Sequence, residues 1–164
     1  MLDASKGILY LHKNGMLYRD IKPDNILVLS IDLNGVNAKL TDFGSARNVN
    51  LLMTNMTFTK GIGTPIYMAP EVLKQEKYTK SADVYSFAIT MFECFSWKDA
   101  YPITTFKFPW KIAEFVSSRK RPENGEPIPI MLYELIQNCW GQKQKERLDI
   151  HCIEEQLQFL FNHQ

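Results

Sequence analysis

The sequence has few cysteines and no excess of either charge sign, and both absences narrow what the protein can be. Its three cysteines show no Cys-x-x-Cys spacing, so neither a disulfide framework nor a zinc site follows from them. The 19 Lys and Arg residues nearly balance the 18 Asp and Glu residues, which gives a net charge of +1. This balance argues against a nucleic-acid-binding arm and against a polybasic membrane anchor.

Long apolar runs and targeting signals are also missing. The longest apolar stretch, residues 85–95, is interrupted by Ser86, Thr90 and Glu93. It falls short of the ~20 residues that a helix needs to span a bilayer. The first residues lack the basic and then apolar order of a signal peptide. We therefore expect a chain without a membrane segment, located in the cytoplasm.

The spacing of apolar residues predicts a mainly helical domain with one small β-hairpin. A hydrophobic content of 45% is enough for one core in a chain of this length. Apolar residues at three- and four-residue intervals predict helices at 2–13, 81–95, 110–117, 130–140 and 151–161. Ser81 is the expected N-cap of the central helix, because a serine hydroxyl accepts hydrogen bonds from the first turn.

Between the first two helices, the sequence predicts a hairpin and a long loop. Two short β-type runs, 26–29 and 38–40, flank the turn sequence Asp-Leu-Asn-Gly at 32–35. Residues 42–71 are rich in threonine and punctuated by glycine. Loops of this length in a compact domain are usually functional or mobile. We therefore expect the chemistry of the protein on the loops that flank the hairpin.

Those loops carry the most informative residues of the chain. Residues 18–25 read Tyr-Arg-Asp-Ile-Lys-Pro-Asp-Asn, and Asp42-Phe43-Gly44 follows after the hairpin. Two acids, a lysine and an asparagine are the groups needed to hold Mg²⁺ and to steer a hydroxyl toward a phosphoryl group. Each fragment alone has a plainer interpretation, such as a turn after a strand or a surface ion pair. Their occurrence together, followed by Gly-Thr-Pro at 63–65 and Ala-Pro-Glu at 69–71, is far more specific.

These motifs, in this order, resemble the C-terminal lobe of a eukaryotic protein kinase over essentially the whole chain. The resemblance implies the protein-kinase-like α+β fold, with this lobe at 1–164. It implies a catalytic loop at 18–25, an activation segment at 42–71 and a helical subdomain at 81–161. ATP and Mg²⁺ are the implied cofactors, and protein substrates are the implied partners.

The resemblance also implies roles for individual residues of the site. Asp20 matches the residue that accepts the proton of the substrate hydroxyl, and Lys22 would offset charge on the transferring phosphate. Asn25 and Asp42 match the Mg²⁺ ligands. Together with Leu27, they are expected to contact the nucleotide.

A further group of residues is expected to support this site. Tyr18 stands where the family usually has histidine and would pack beneath Phe43, next to Gly44. Tyrosine also occurs here in active kinases. Thr64 would bridge Asp20 and Lys22. Glu71 and Arg147 would form a buried ion pair. Asp83, at the start of the central helix, would accept hydrogen bonds from the backbone of the catalytic loop.

Substrate choice and regulation are implied by the same motifs. Lys22 and Thr64 resemble serine/threonine kinases, and residues 83–87 lean toward the tyrosine-kinase-like branch. Arg19 would clamp a phosphate on the activation segment, because phosphate adds strong acceptor oxygens and charge; the acceptors would be Thr54, Thr57 or Thr59. An ordinary polar loop is the alternative for these threonines. A mass spectrum of native protein with none of the three modified would exclude the clamp.

The sequence contains no glycine-rich GxGxxG loop and no upstream lysine strand of the Val-Ala-Ile-Lys type. These parts cover the nucleotide in the family, so we expect the N-terminal lobe to be absent. Such a chain would bind ATP weakly and would expose apolar groups around Leu27 and Phe43. A noncatalytic kinase-like interaction module is therefore an alternative to the enzyme.

Overall fold

The computed structural model describes residues 1–32, 35–48, 64–77, 79–123 and 128–163, and these are mainly helical. The helices are α1 Leu2–Lys13, α2 Pro70–Leu73, α3 Lys80–Ser96, α4 Pro109–Ser117, α5 Ile130–Cys139 and α6 Ile150–Asn162. The strands are β1 Met16–Leu17, β2 Ile26–Asp32, β3 Gly35–Leu40 and β4 Arg47–Asn48. The expected helical architecture with a small hairpin is confirmed. The ends of the five predicted helices agree with the observed ends to within one residue, whereas the short helix α2 was not predicted.

Helix α3 is the centre of the core. Tyr85, Phe87, Ile89 and Met91 are fully buried along it, as expected for a helix that is apolar on most of its faces. Helix α5 packs against α3, and α6 packs against α1. Within the described ranges, no helix combines the length and the apolar character needed to cross a membrane.

The cap of α3 differs from the sequence-based prediction. The N-cap is Thr79, whose hydroxyl accepts a hydrogen bond from the Ser81 backbone N–H at 3.4 Å. Thr79 has extended backbone angles and precedes the first helical residue, Lys80. Ser81 itself already lies in the first turn. The predicted cap was therefore wrong by two residues.

Two small antiparallel sheets position the loops. Strands β2 and β3 form the predicted hairpin, which is longer than expected and contains an irregularity in register between Val28 and Ser30. Strands β1 and β4 form a second sheet, in which Met16 lies opposite Asn48. The second sheet was not predicted, because a two-residue strand has no periodic pattern to detect. It ties the chain that follows Asp42 to the chain that precedes Tyr18.

The predicted activation segment is described in two pieces. Its first piece contains a 3₁₀ turn at Phe43–Ser45, and its second contains a 3₁₀ turn at Pro65–Tyr67 followed by α2. Gly63 and the three threonines considered as phosphate acceptors, Thr54, Thr57 and Thr59, lie outside the described residues. The phosphate clamp at Arg19 therefore stays a prediction.

Glu71 and Arg147 form a buried, two-pronged ion pair. Arg147 Nη1 donates to Glu71 Oε1 and Nη2 donates to Oε2, both at 2.7 Å. The same guanidinium donates to the carbonyl oxygens of Gly141 and Ser81, each at 2.9 Å. It also lies 5.1 Å from the centre of the Tyr85 ring. One arginine thus joins α2, the start of α3 and the loop after α5.

We predict that Arg147→Ala destabilises the fold strongly. Removing the guanidinium leaves the buried Glu71 carboxylate uncompensated, which costs ~3–5 kcal/mol of unfolding free energy. Urea denaturation of both proteins measures the loss. Lys145→Ala, at an exposed position of the same loop, is the matched control. Equal losses in the two variants would contradict the prediction.

Candidate active site

The Asp83 carboxylate holds the start of the predicted catalytic loop. Its Oδ2 accepts a hydrogen bond from the Tyr18 backbone N–H and its Oδ1 accepts one from Arg19, both at 2.9 Å. The His12 ring nitrogen Nε2 lies 2.9 Å from Oδ2. Asp83 is 2% exposed, so these three contacts compensate a charge removed from water. The contact fixes Arg19 in a left-handed conformation with φ of 75°.

His12 was not identified from the sequence, although a signal for it was present. On α1 the buried positions include Ala4, Ile8 and His12, which share one face because they are spaced by four residues. A histidine on the apolar face of a helix needs a buried polar partner. Asp83 is that partner.

Asp20 lies at the centre of a cluster of hydrogen bonds. Lys22 Nζ donates to Asp20 Oδ2 at 2.9 Å and to Thr64 Oγ1 at 3.1 Å. Thr64 Oγ1 donates to Asp20 Oδ1 at 3.3 Å. Asn25 Nδ2 donates to the Asp20 carbonyl oxygen at 2.8 Å and to Oδ2 at 3.1 Å. The structure thus brings four of the predicted site residues together and orients the carboxylate through both oxygens.

The segment around Asp42 lies next to this cluster. The Thr41 backbone N–H donates to the Asn25 carbonyl oxygen at 3.0 Å, and the Tyr18 hydroxyl donates to the Thr41 carbonyl oxygen. The Phe43 ring meets the Tyr18 ring edge to face, with 5.6 Å between centroids. Tyr18 therefore lies beneath Phe43 and also bonds to the backbone beside Asp42.

The surroundings of Tyr18 raise the pKa of its phenol. Burial, followed by the negative charges of Asp20 and Asp42, raises the pKa of Tyr18 to about 12. The hydrogen bonds from Tyr18 to Thr41, from Thr41 to Asn25 and from Asn25 to Asp20 bring these residues together, and Asp42 follows Thr41 directly.

The free oxygen atoms of this group suit a hard divalent cation. Asn25 donates to Asp20 through its side-chain Nδ2, so its side-chain oxygen Oδ1 is not used in these two bonds. Asp42 adopts a left-handed conformation and accepts one bond, from the Gly44 backbone N–H at 3.2 Å. Amide and carboxylate oxygens are the ligands that Mg²⁺ prefers. The residues present thus fit the implied metal.

The side of the hairpin next to the site is apolar and accessible. Leu27 and Phe43 are 51% and 52% exposed, so the expected exposure of apolar groups here is confirmed. A cavity of about 300 Å³ lies between α1 and β3, and its lining includes Gly7, Leu40 and Phe43.

A second polar contact holds the turn that follows Thr64. The Tyr67 hydroxyl donates to Glu93 Oε2 at 2.6 Å, and the Ala100 backbone N–H donates to Glu93 Oε1 at 2.9 Å. Ser86 Oγ donates to the Tyr67 carbonyl oxygen at 2.8 Å. Burial raises the pKa of Glu93. In the sequence, Glu93 and Ser86 stood out only as interruptions of an apolar run, whereas both fix this turn against α3.

We predict that Tyr18→Phe changes how stability depends on alkaline pH. The folded phenol has a pKa of about 12 against 10.0 for an ordinary tyrosine. The unfolded wild type therefore releases its proton first, and the wild type loses stability as the pH rises through this window. Tyr18→Phe lacks that loss, so the stability advantage of the wild type should be constant below pH 10 and shrink above it.

Urea denaturation from neutral to alkaline pH measures this difference. Tyr10→Phe, which alters a ring that is 70% exposed, controls for the removal of a phenol. An advantage over Tyr18→Phe that is the same at every pH would contradict the prediction.

Comparison with known proteins gives one family. The protein kinase domain family matches residues 1–159. A Dictyostelium discoideum protein named probable serine/threonine-protein kinase gdt2 is 34% identical over 164 residues, covering 98% of this chain and 10% of that protein. Another, named probable serine/threonine-protein kinase gdt9, is 37% identical over 142 residues, covering 85% and 9%.

A viral protein is similar to the same degree. The Acanthamoeba polyphaga mimivirus protein named putative serine/threonine-protein kinase/receptor R818 is 37% identical over 151 residues, covering 90% of this chain and 8% of its own length. The chain spans about a tenth of the length of these three relatives. The family match nevertheless extends over nearly all of the chain. The chain belongs to the protein kinase domain family.

Proposed function

We propose that this chain carries the catalytic residues of a protein kinase that transfers the γ-phosphate of ATP to serine or threonine hydroxyls of protein substrates. The observation that carries the proposal is the cluster in which Asp20 meets Lys22, Asn25 and Thr64, with Asp42 nearby. Phosphoryl transfer depends mainly on positioning and on charge stabilisation. A rigid cluster of this composition supplies both.

Asp20 is the proposed acceptor for the proton of the substrate hydroxyl. A carboxylate has about four acceptor positions, and side chains of Lys22, Asn25 and Thr64 occupy three of them. One acceptor position is therefore left for the incoming hydroxyl. The three existing bonds fix the direction in which that position points.

The remaining polar groups would compensate the negative charge of the phosphates. Lys22 holds its ammonium group 2.9 Å from Asp20, where it would offset negative charge on the transferring phosphate. Asn25 and Asp42 would hold Mg²⁺, and Leu27 would contact the nucleotide. Mg²⁺, when bound, neutralises phosphate charge and orients the phosphate oxygens.

Three observations support a preference for serine and threonine. Lys22 stands two residues after Asp20, and its ammonium group contacts the Thr64 hydroxyl. The relatives described above are named serine/threonine-protein kinases. The tyrosine-kinase-like branch rests on the residues at 83–87, on Cys139-Trp140 and on Arg147, and it is part of the same proposal.

A noncatalytic interaction module is the second candidate. It is favoured by the accessible apolar side chains of Leu27 and Phe43. On this alternative the kinase fold would bind partners without transferring phosphate. The four polar residues around Asp20 favour the enzyme, because a binding module has no need for all of them.

We predict that Asp20→Asn abolishes most of the phosphotransfer. Loss of a positioned general base lowers kcat by a factor of ~10²–10⁴. The assay uses radiolabelled ATP, Mg²⁺ and a mixed protein substrate, with the complete polypeptide that contains this chain. Glu114→Gln, at an exposed position of α4, is the control and should keep full activity.

Two results would count against the proposal. Equal turnover by wild type and Asp20→Asn would favour the noncatalytic module. Label found only on tyrosine would overturn the serine/threonine preference while leaving the kinase assignment intact.

A further inference from the structure

A groove runs between helices α5 and α6, away from every residue assigned to the active site. It encloses about 300 Å³. Its apolar lining consists of Met131, Leu135, Phe159 and Leu160, and its polar lining consists of Glu134, Asn138, Glu155 and Gln156.

The groove exists because its two walls pack on different neighbours. Helix α5 packs mainly on α3, and α6 packs mainly on α1. On α5 the lining residues are spaced by three and four positions, so they form one stripe along the helix. Met131 and Phe159 are each 54% exposed. Apolar side chains at the mouth of a groove are typical of a binding surface.

The two helices that form the groove, α5 and α6, carry acidic residues and no lysine or arginine. Neither helix contains lysine or arginine, whereas Glu134, Glu154 and Glu155 are all on them. The whole chain has a net charge of +1, so this acidity is local. His151 lies 3.6 Å from Glu155. Glu134 has no cationic partner among the described residues. The groove is therefore lined by apolar side chains together with the carboxylates of Glu134 and Glu155.

We propose that this groove binds a basic amphipathic helix of another protein. A helix placed in such a groove buries apolar side chains at i, i+3, i+4 and i+7 against its apolar lining. Lysine and arginine on its flanks would then face Glu134 and Glu155. Met131 suits this role, because the flexible thioether side chain adapts to different apolar partners.

The charge pattern disfavours two other occupants. A two-fold dimer through this surface would place Glu134 and Glu155 of one copy against the same residues of the other. Like charges brought together in an interface are unfavourable. An anionic lipid surface would be repelled for the same reason. The proposal does not depend on kinase activity, since none of the lining residues belongs to the proposed catalytic cluster.

Two synthetic helical peptides with the same leucine pattern test the proposal. One carries lysine on its polar face and the other carries glutamate, and fluorescence anisotropy measures the binding of each to the full chain. The lysine peptide should bind, and the glutamate peptide should bind much more weakly. The Glu134→Lys, Glu155→Lys double variant should bind the lysine peptide about tenfold more weakly and should gain affinity for the glutamate peptide.

A matched double variant, Glu114→Lys with Glu123→Lys, changes the net charge equally at exposed positions that do not line the groove. It should bind both peptides as the wild type does. Phe159→Ser should weaken the lysine peptide through lost apolar contact, whereas Ile103→Ser, at a side chain that is 76% exposed, should not.

Three outcomes would overturn the proposal. They are equal affinity for the two peptides, equal effects of the two double variants, and self-association of the wild type in sedimentation that the Phe159→Ser variant abolishes. The last result would assign the groove to a second copy of the chain.

Discussion

The rest of the site depends on the hydrogen bonds that the buried carboxylate of Asp83 accepts. The carboxylate accepts hydrogen bonds from the backbone N–H groups of Tyr18 and Arg19, and it contacts the His12 ring. These bonds hold Arg19 in the left-handed region, a conformation that is unfavourable for a residue with a side chain. This backbone conformation places the next residue, Asp20, within hydrogen-bonding distance of Lys22 and Thr64.

Helix α3 supplies this anchor and several others, which explains why its polar residues matter more than its apolar pattern indicates. Asp83 near its N-terminus holds the predicted catalytic loop, and Glu93 near its C-terminus holds Tyr67. The Tyr85 ring lies against the guanidinium of Arg147, which in turn grips Glu71. Both loops that form the proposed site are therefore fastened to one rigid, buried element, and such support is what precise chemistry requires.

The sequence was a good guide to long elements and to charged site residues, and a poor guide to short contacts. Helices have a periodic pattern, so α1 was predicted with its exact ends, and the residues around Asp20 were recognised by their joint spacing. The sheet formed by β1 and β4 was missed, because pairing across 30 residues of chain leaves no local signal. His12 and the true cap Thr79 were also missed, because their partners are set by tertiary packing. The roles of Asp20, Asn25 and Asp42 in catalysis stay proposals.

Hydrogen exchange of the Tyr18 and Arg19 amides tests the role of Asp83 most directly. In the wild type both amides should exchange slowly, because each donates to a buried carboxylate. In Asp83→Ala both should lose protection by a factor about tenfold greater than the Leu157 amide in α6 loses, since the anchor is local. Equal loss at all three amides, or unchanged protection at Tyr18 and Arg19, would contradict the account.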